Sequence, residues 1–214
     1  GNTTVKAGTL QLGGNQVLSM SGSVTMNGGV LDLGGAYQNV VAALVLNDGV
    51  IVGGSGGAAT IQAGQFLVSN GSISAVLSGD GSLIKNNAGT VTLSGQNTYT
   101  GDTTVNDGRL VLGGSQVLSI GGTVTLNGGT LDLGGAYRNA VAALVLNEGS
   151  IVGGSGAAAT ISANQFLVNS GSISAVLGGT ASLTKNNSGT VVLSGQNVYT
   201  GETVVNDGRL VLGG

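Results

Sequence analysis

Cysteine, proline, tryptophan and histidine are all absent from these 214 residues. Without cysteine there is no disulfide and no thiolate metal site, and the redox compartment leaves no mark on the chain. Without histidine no imidazole can act as general base, which excludes Ser-His nucleophilic arrangements. Charged residues make up 7% and aromatic residues 3% of the chain. The six Lys and Arg are scattered, the net charge is −3, and a nucleic-acid partner is not expected. The longest apolar run, Val40–Leu46, is too short to enter and span a membrane. No signal peptide stands at Gly1, so an export signal or anchor is expected outside this segment.

What is present is glycine, 43 residues of it, about three times the usual share. Gly-rich linkers are ordinarily polar, yet this chain is 41% hydrophobic, with a mean hydropathy of +0.37. Its apolar residues are mostly Val, Leu and Ile, which suit a pleated, half-buried surface. The glycines therefore read as punctuation between strands.

The punctuation is periodic. Residues 1–100 and 101–200 align without a gap, about 73 of 100 positions are identical, and a third copy begins at Gly201. The expected organisation is two solenoid repeat units, 1–100 and 101–200, and the start of a third, 201–214, in one continuous rod. Within each unit a phrase Asn-x-Gly-x-apolar-x-apolar recurs at Gly8, Gly29, Gly49, Gly71 and Gly89, then again from Gly108 to Gly208. Apolar residues two and four places after the glycine, such as Leu31 and Leu33 or Val91 and Leu93, have the period of a strand with one buried face. At Gly53 and Ala75 the second of these positions shrinks.

A coil of roughly 20 residues with two or three short strands is a turn of a parallel β-helix, or β-solenoid. The fold expected is thus all-β, with about 11 coils and a rod on the order of 50 Å long. Two places before the recurring glycine stand Asn27, Asn47, Asn87, Asn106, Asn127, Asn147, Asn169, Asn187 and Asn206, with Lys6 and Ser69 as exceptions. Stacked at one corner, they are expected to form a ladder, each amide donating to one neighbouring coil and accepting from the other. The segment Ala36–Leu46 has a helical alternative, but its Val content and flanking glycines favour another coil. Differences between copies sort positions. Met20 to Ile120 and Met26 to Leu126 read as core, Thr9 to Arg109, Gln38 to Arg138 and Asp80 to Thr180 as solvated, and Val30 to Thr130 and Val50 to Ser150 as outward-facing strand positions.

Candidate chemistry is thin. Asp102, Asp107 and Arg109 form the best charged group, but the near-copy Glu202, Asp207 and Arg209 favours a solvated surface or a local ion pair. The stretches Gly53–Gly57 and Gly153–Gly156 look like phosphate loops, yet no helix follows them, so they read as turns. No carboxylate series has metal-ligand spacing. No catalytic residue, cofactor or metal is therefore expected. Tyr99 and Tyr199, like Tyr37 and Tyr137, are expected to pack over coil corners, with a glycan-stacking platform as the alternative.

Residues 79–114 read GDGSLIKNNAGTVTLSGQNTYTGDTTVNDGRLVLGG, and residues 179–214 repeat the pattern. This resembles the autotransporter-associated β-strand repeat, also called the passenger-associated transport repeat, chiefly through LSGQN-x-YTG-x-T-x-V-N. Asn86-Asn87 and Asn186-Asn187 depart from the Thr/Ser-Gly pair usual after the lysine. The resemblance implies a non-catalytic β-helical stalk or fibre of a bacterial surface or secreted protein. It fits stacking on neighbouring repeats, in the same chain or end to end with another. The alternative it leaves is an adhesin repeat that binds cell-surface glycans, surfaces or itself.

Overall fold

The computed structural model describes residues 1–54, 59–154 and 159–213. Over these residues the chain forms 26 strands and no helix. Every strand pairing is parallel. This is a β-solenoid with three faces. The segment with a helical alternative lies in strands Gln38–Val41 and Ala43–Val52.

Face one begins with Thr3–Val5 and receives a new strand about every 20 residues, up to Thr203–Val205. Alternation within these strands turns two columns of side chains inward. One runs Thr3, Val24, Leu44, Phe66, Leu83 and Thr103, then Val124, Leu144, Phe166, Leu183 and Thr203. The other runs Val5, Met26, Leu46, Val68, Lys85 and Val105, then Leu126, Leu146, Val168, Lys185 and Val205. Face two begins with Thr9–Gln11 and ends with Arg109's counterpart strand, Arg209–Leu212. Each of these two faces stacks eleven strands, which bound ten complete turns; the eleventh coil expected is the partial one that starts at Gly201.

Face three is less regular. Gln38–Val41, Thr60–Ala63 and Val76–Ser78 form one three-stranded stack, and Arg138–Ala140, Thr160–Ser162 and Val176–Gly178 form another. Between the stacks the backbone ladder thins to bonds such as Thr98 N to Leu77 O at 2.8 Å and Gln116 N to Arg138 O at 2.9 Å, and side-chain amides supplement it. Gln116 accepts from Ala140 N at 2.9 Å and donates to Ala140 O at 2.9 Å. Asn97 accepts from Leu77 N at 2.9 Å and donates to Val117 O at 2.8 Å, tying three successive coils together.

The core is the continuous column enclosed by the faces, and Met26 and Leu126 are fully buried in it. Met20 and Ile120 are not: they are 62% and 65% exposed. The chain leaves face three after the buried Leu18, and Met20 rides on the tip of a turn closed by Gly22 N and Ser19 O at 3.1 Å. Thr9, Gln38 and Asp80 are exposed together with their second-copy counterparts, and Val30 and Val50 face outward beside the buried Leu31 and Ile51. The glycine-rich stretches read as turns include residues 55–58 and 155–158, which lie outside the described residues.

Register explains one irregularity in the period. On face one the step from Phe66 to Leu83 is 17 residues, whereas on face two Gly71 lies opposite Val91, 20 residues on. The corner between Lys85 and Thr90 is therefore longer than the corner beneath it, and Asn87 absorbs part of the excess at φ 63.

Candidate functional site

The amide ladder follows strand register, one place after the second inward residue of face one. Asn47 Nδ2 donates to Asn27 Oδ1 at 2.7 Å. Asn86, Asn106, Asn127, Asn147 and Asn169 then form four consecutive rungs between 2.8 and 3.0 Å. Asn206 donates to Asn186 at 2.8 Å. Asn87 and Asn187, expected on the ladder, are not on it; Asn86 and Asn186 take their places. Counting back from the glycine misplaces them because this corner is the long one. Asn87 Nδ2 reaches down to Ser69 Oγ at 3.1 Å instead, and Asn187 offers its carbonyl oxygen to Lys185. The ladder is interrupted at Ser69, and Asn169 Oδ1 is buried without a partner among the described residues.

The same corner holds the least expected side chain. Lys85 occupies a core column and is fully buried. Its ammonium has three donors, and they meet the carbonyl oxygens of Asn86 at 2.8 Å, Asn87 at 2.6 Å and Asp107 at 3.1 Å. Lys185 repeats the arrangement with Asn187 and Asp207 carbonyls. Burial lowers the Lys85 pKa, and the charge of Asp107 opposes that shift. A Cβ at Gly108 would lie 2.4 Å from the Asn87 and Gly89 oxygens and 2.7 Å from the Lys85 Nζ, at φ +70, so only glycine fits beneath the ammonium. The signal was readable: Leu83-Ile84-Lys85 puts the lysine at the inward parity of Val68 and Val105.

Tyr99 is buried, so its ring is no glycan platform. It packs against Phe66 with centroids 5.9 Å apart at 59°, and its hydroxyl shares a 2.8 Å hydrogen bond with Thr103 Oγ1. Burial pushes its pKa up to about 12, against hydrogen bonds from Thr103 and Ser119 that lower it. Tyr199 and Phe166 repeat the pair at 5.8 Å. Tyr37 and Tyr137 are half-buried, lying over Gly34–Gly35 and Gly134–Gly135.

The charged group does not converge. Asp102 Oδ1 accepts from Thr123 N at 2.8 Å, and Asp107 Oδ1 accepts from its neighbour Gly108 N at 2.6 Å. Arg109 turns to the next coil and pairs with Asp132 at 2.5 Å. Each of these groups serves local structure. Among the described residues no three His, Cys, Asp or Glu side chains are placed to hold a metal. Among the described residues no helix is long and apolar enough to cross a membrane.

Residues 1–12, 83–112 and 183–212 match the passenger-associated-transport-repeat family. The two longer matches contain Lys85, Asn97 and Tyr99 and their second-copy equivalents, the side chains that lock one coil in five. The chain is also similar to the Adhesin BmaC autotransporter of Brucella suis biovar 1 (strain 1330), with 32% identity over 238 residues. That match covers 96% of this chain and 7% of the Brucella protein. No solved structure matches the chain.

Proposed function

Since the chain is a passenger-associated-transport-repeat protein of the autotransporter-passenger type, we propose that it is a non-catalytic spacer in a surface-exposed or secreted rod. The observation that carries this reading is the gapless 100-residue period laid onto one uninterrupted core. Each unit adds five coils and no insertion, so length is what the repeat supplies. Its largest polar investments are structural: the amide ladder joins one coil to the next, the buried lysine closes its own corner and reaches the Asp107 carbonyl of the next coil, and the buried Tyr-Thr pair fixes a local turn. Further repeats, in the same chain or in a second copy, continue the stack through the same strand edges.

Autotransporter passengers cross an outer membrane before they fold. Coil-by-coil docking suits that route, because every new coil gains a nearest-neighbour interface. The test is to delete Gly101–Thr200 from the full-length protein and image the cell surface by cryo-electron tomography. A projection shortened by ~24 Å, five coils at ~4.8 Å each, with surface display retained, is expected. Loss of display would overturn the spacer reading.

A second reading, contact between cells, is supported by the Brucella relative, which is named an adhesin. The outward column of face one also suits it. That column runs Thr25, Val45, Leu67, Ile84 and Thr104, then Thr125, Val145 and Leu167, without a charge, and such a flat neutral strip can lie against its own copy. Sedimentation velocity over a wide concentration range separates the two, since end-to-end stacking raises the frictional ratio of the associated species whereas side-by-side contact lowers it.

A further inference from the structure

A hollow of about 440 Å3 opens beside face two in the first unit, lined by Gln11, Asp32, Gly34, Gly35, Tyr37 and Gly54 among others. That size falls in the range of small-ligand pockets, about 300–1,000 Å3. We propose that this hollow is a binding subsite for a neutral oligosaccharide, and that Arg109 closes the equivalent hollow in the second unit. The proposal goes beyond the spacer reading and stands whether or not that reading does.

The floor is bare backbone. A Cβ at Gly54 would fall 1.3 Å from Gly34 O, and one at Gly34 would fall 2.3 Å from Leu12 O, so no side chain can occupy it. A ligand therefore meets peptide groups below and three side chains at the rim. Tyr37 is half-buried, and its hydroxyl makes no hydrogen bond among the described residues. An aromatic ring with a polar tip suits the mixed C–H and hydroxyl surface of a sugar. Asp32 Oδ1 accepts from Gly34 N at 2.8 Å, and Oδ2 accepts from Gln11 Nε2 at 2.9 Å. Each carboxylate oxygen keeps a further acceptor site, which suits a hydroxyl donor. Among the described residues no cationic side chain lines this hollow, and the Asp32 carboxylate would repel an anionic ligand. An aromatic ring beside carboxylate acceptors suits a neutral, hydroxyl-rich ligand.

The second unit supplies an internal control. LDLGGAY is identical at residues 31–37 and 131–137, so the Asp, the glycines and the Tyr recur. Thr9, however, is replaced by Arg109, which reaches across to Asp132 at 2.5 Å. Asp132 is buried, whereas Asp32 is half-exposed, and the hollow beside it shrinks to about 290 Å3. Two rim positions thus differ between the units, Thr9 to Arg109 and Gln11 to Val111, and it is Arg109 that reaches the carboxylate.

The test is titration calorimetry on the purified chain with cellohexaose, maltohexaose and chitohexaose as probes, followed in parallel by tyrosine fluorescence. At least one probe should bind with a stoichiometry of one. Tyr37→Ala and Thr9→Arg should each weaken it tenfold or more with unchanged far-UV circular dichroism, and Arg109→Thr combined with Val111→Gln, which restores the first-unit rim, should raise the stoichiometry to two. Thr9→Arg keeps the test decisive if Tyr37→Ala disturbs folding. No binding of any probe at millimolar concentration, or binding indifferent to both rim variants, overturns the site. A stoichiometry that stays at one in Arg109→Thr/Val111→Gln overturns the role given to Arg109.

Discussion

A lysine in the core column is the residue on which this corner turns. Lys85, like Lys185 in the second unit, brings a charge where the other coils bring Val, Leu or Met, and it survives there because three carbonyl oxygens accept hydrogen bonds from its three N–H groups. Lys85→Met keeps the volume and removes the donors, leaving those carbonyls without their partner. The expected loss is roughly 2–4 kcal/mol in urea unfolding, concentrated in amide-exchange protection of strands Ser82–Lys85 and Thr103–Val105. Tyr99 makes a different statement about pH. Its folded pKa is raised to about 12 by burial, so the unfolded chain gives up the phenolic proton first as pH rises. Stability from the neutral phenol is complete below pH ~10 and is lost on the way to pH ~12, on the order of 3 kcal/mol. In Tyr99→Phe the fall in urea midpoint over that window should be smaller than in the parent chain; an equal fall would show that Tyr99 does not govern it.

At the scale of the element, the amide ladder and the strand register are one fact. Asn127 donates to Asn106 at 3.0 Å and accepts from Asn147 at 2.8 Å. Asn127→Asp preserves shape but cannot donate when ionised, so a cost of about 1–2 kcal/mol is expected at pH 7. Part of it should return near pH 3, where the protonated acid can donate again. Thermal unfolding of the variant at the two pH values, relative to the parent, checks this. The alternation that builds the faces was legible in the sequence: Leu31 and Leu33, Val91 and Leu93 and Met26 all point inward as their spacing requires. The ladder was legible only in part. Asn87 and Asn187 sit at the right distance from a glycine but at the wrong distance from the strand, because three residues of slack in one corner shift the count. The inward parity of Lys85 was readable but its full set of partners was not, because lysine is ordinarily solvated and the Asp107 carbonyl comes from a coil 22 residues away. Met20 misled in the other direction, since an apolar pair conserved between copies can equally sit on a turn tip. The hollow at Asp32–Tyr37 was invisible for the same reason as the lysine's partners: its floor is made by Gly34 and Gly54, twenty residues apart.

For the whole molecule, the property that matters is that faces one and two stack without a break over the described residues. Buried residues run from Val5 to Leu193 as one cluster, and each coil rests on its neighbours alone, as in other solenoids. Length should therefore grow linearly with the number of units while width stays fixed. The most direct measurement is small-angle X-ray scattering on the purified chain and on a version with one more copy of Gly101–Thr200 inserted after Thr200. A maximum dimension longer by ~24 Å, five coils at ~4.8 Å, with an unchanged cross-sectional radius, is the expected result. A cross-section that widens with the added unit, or a maximum dimension that grows only as a compact globule's would, contradicts the rod.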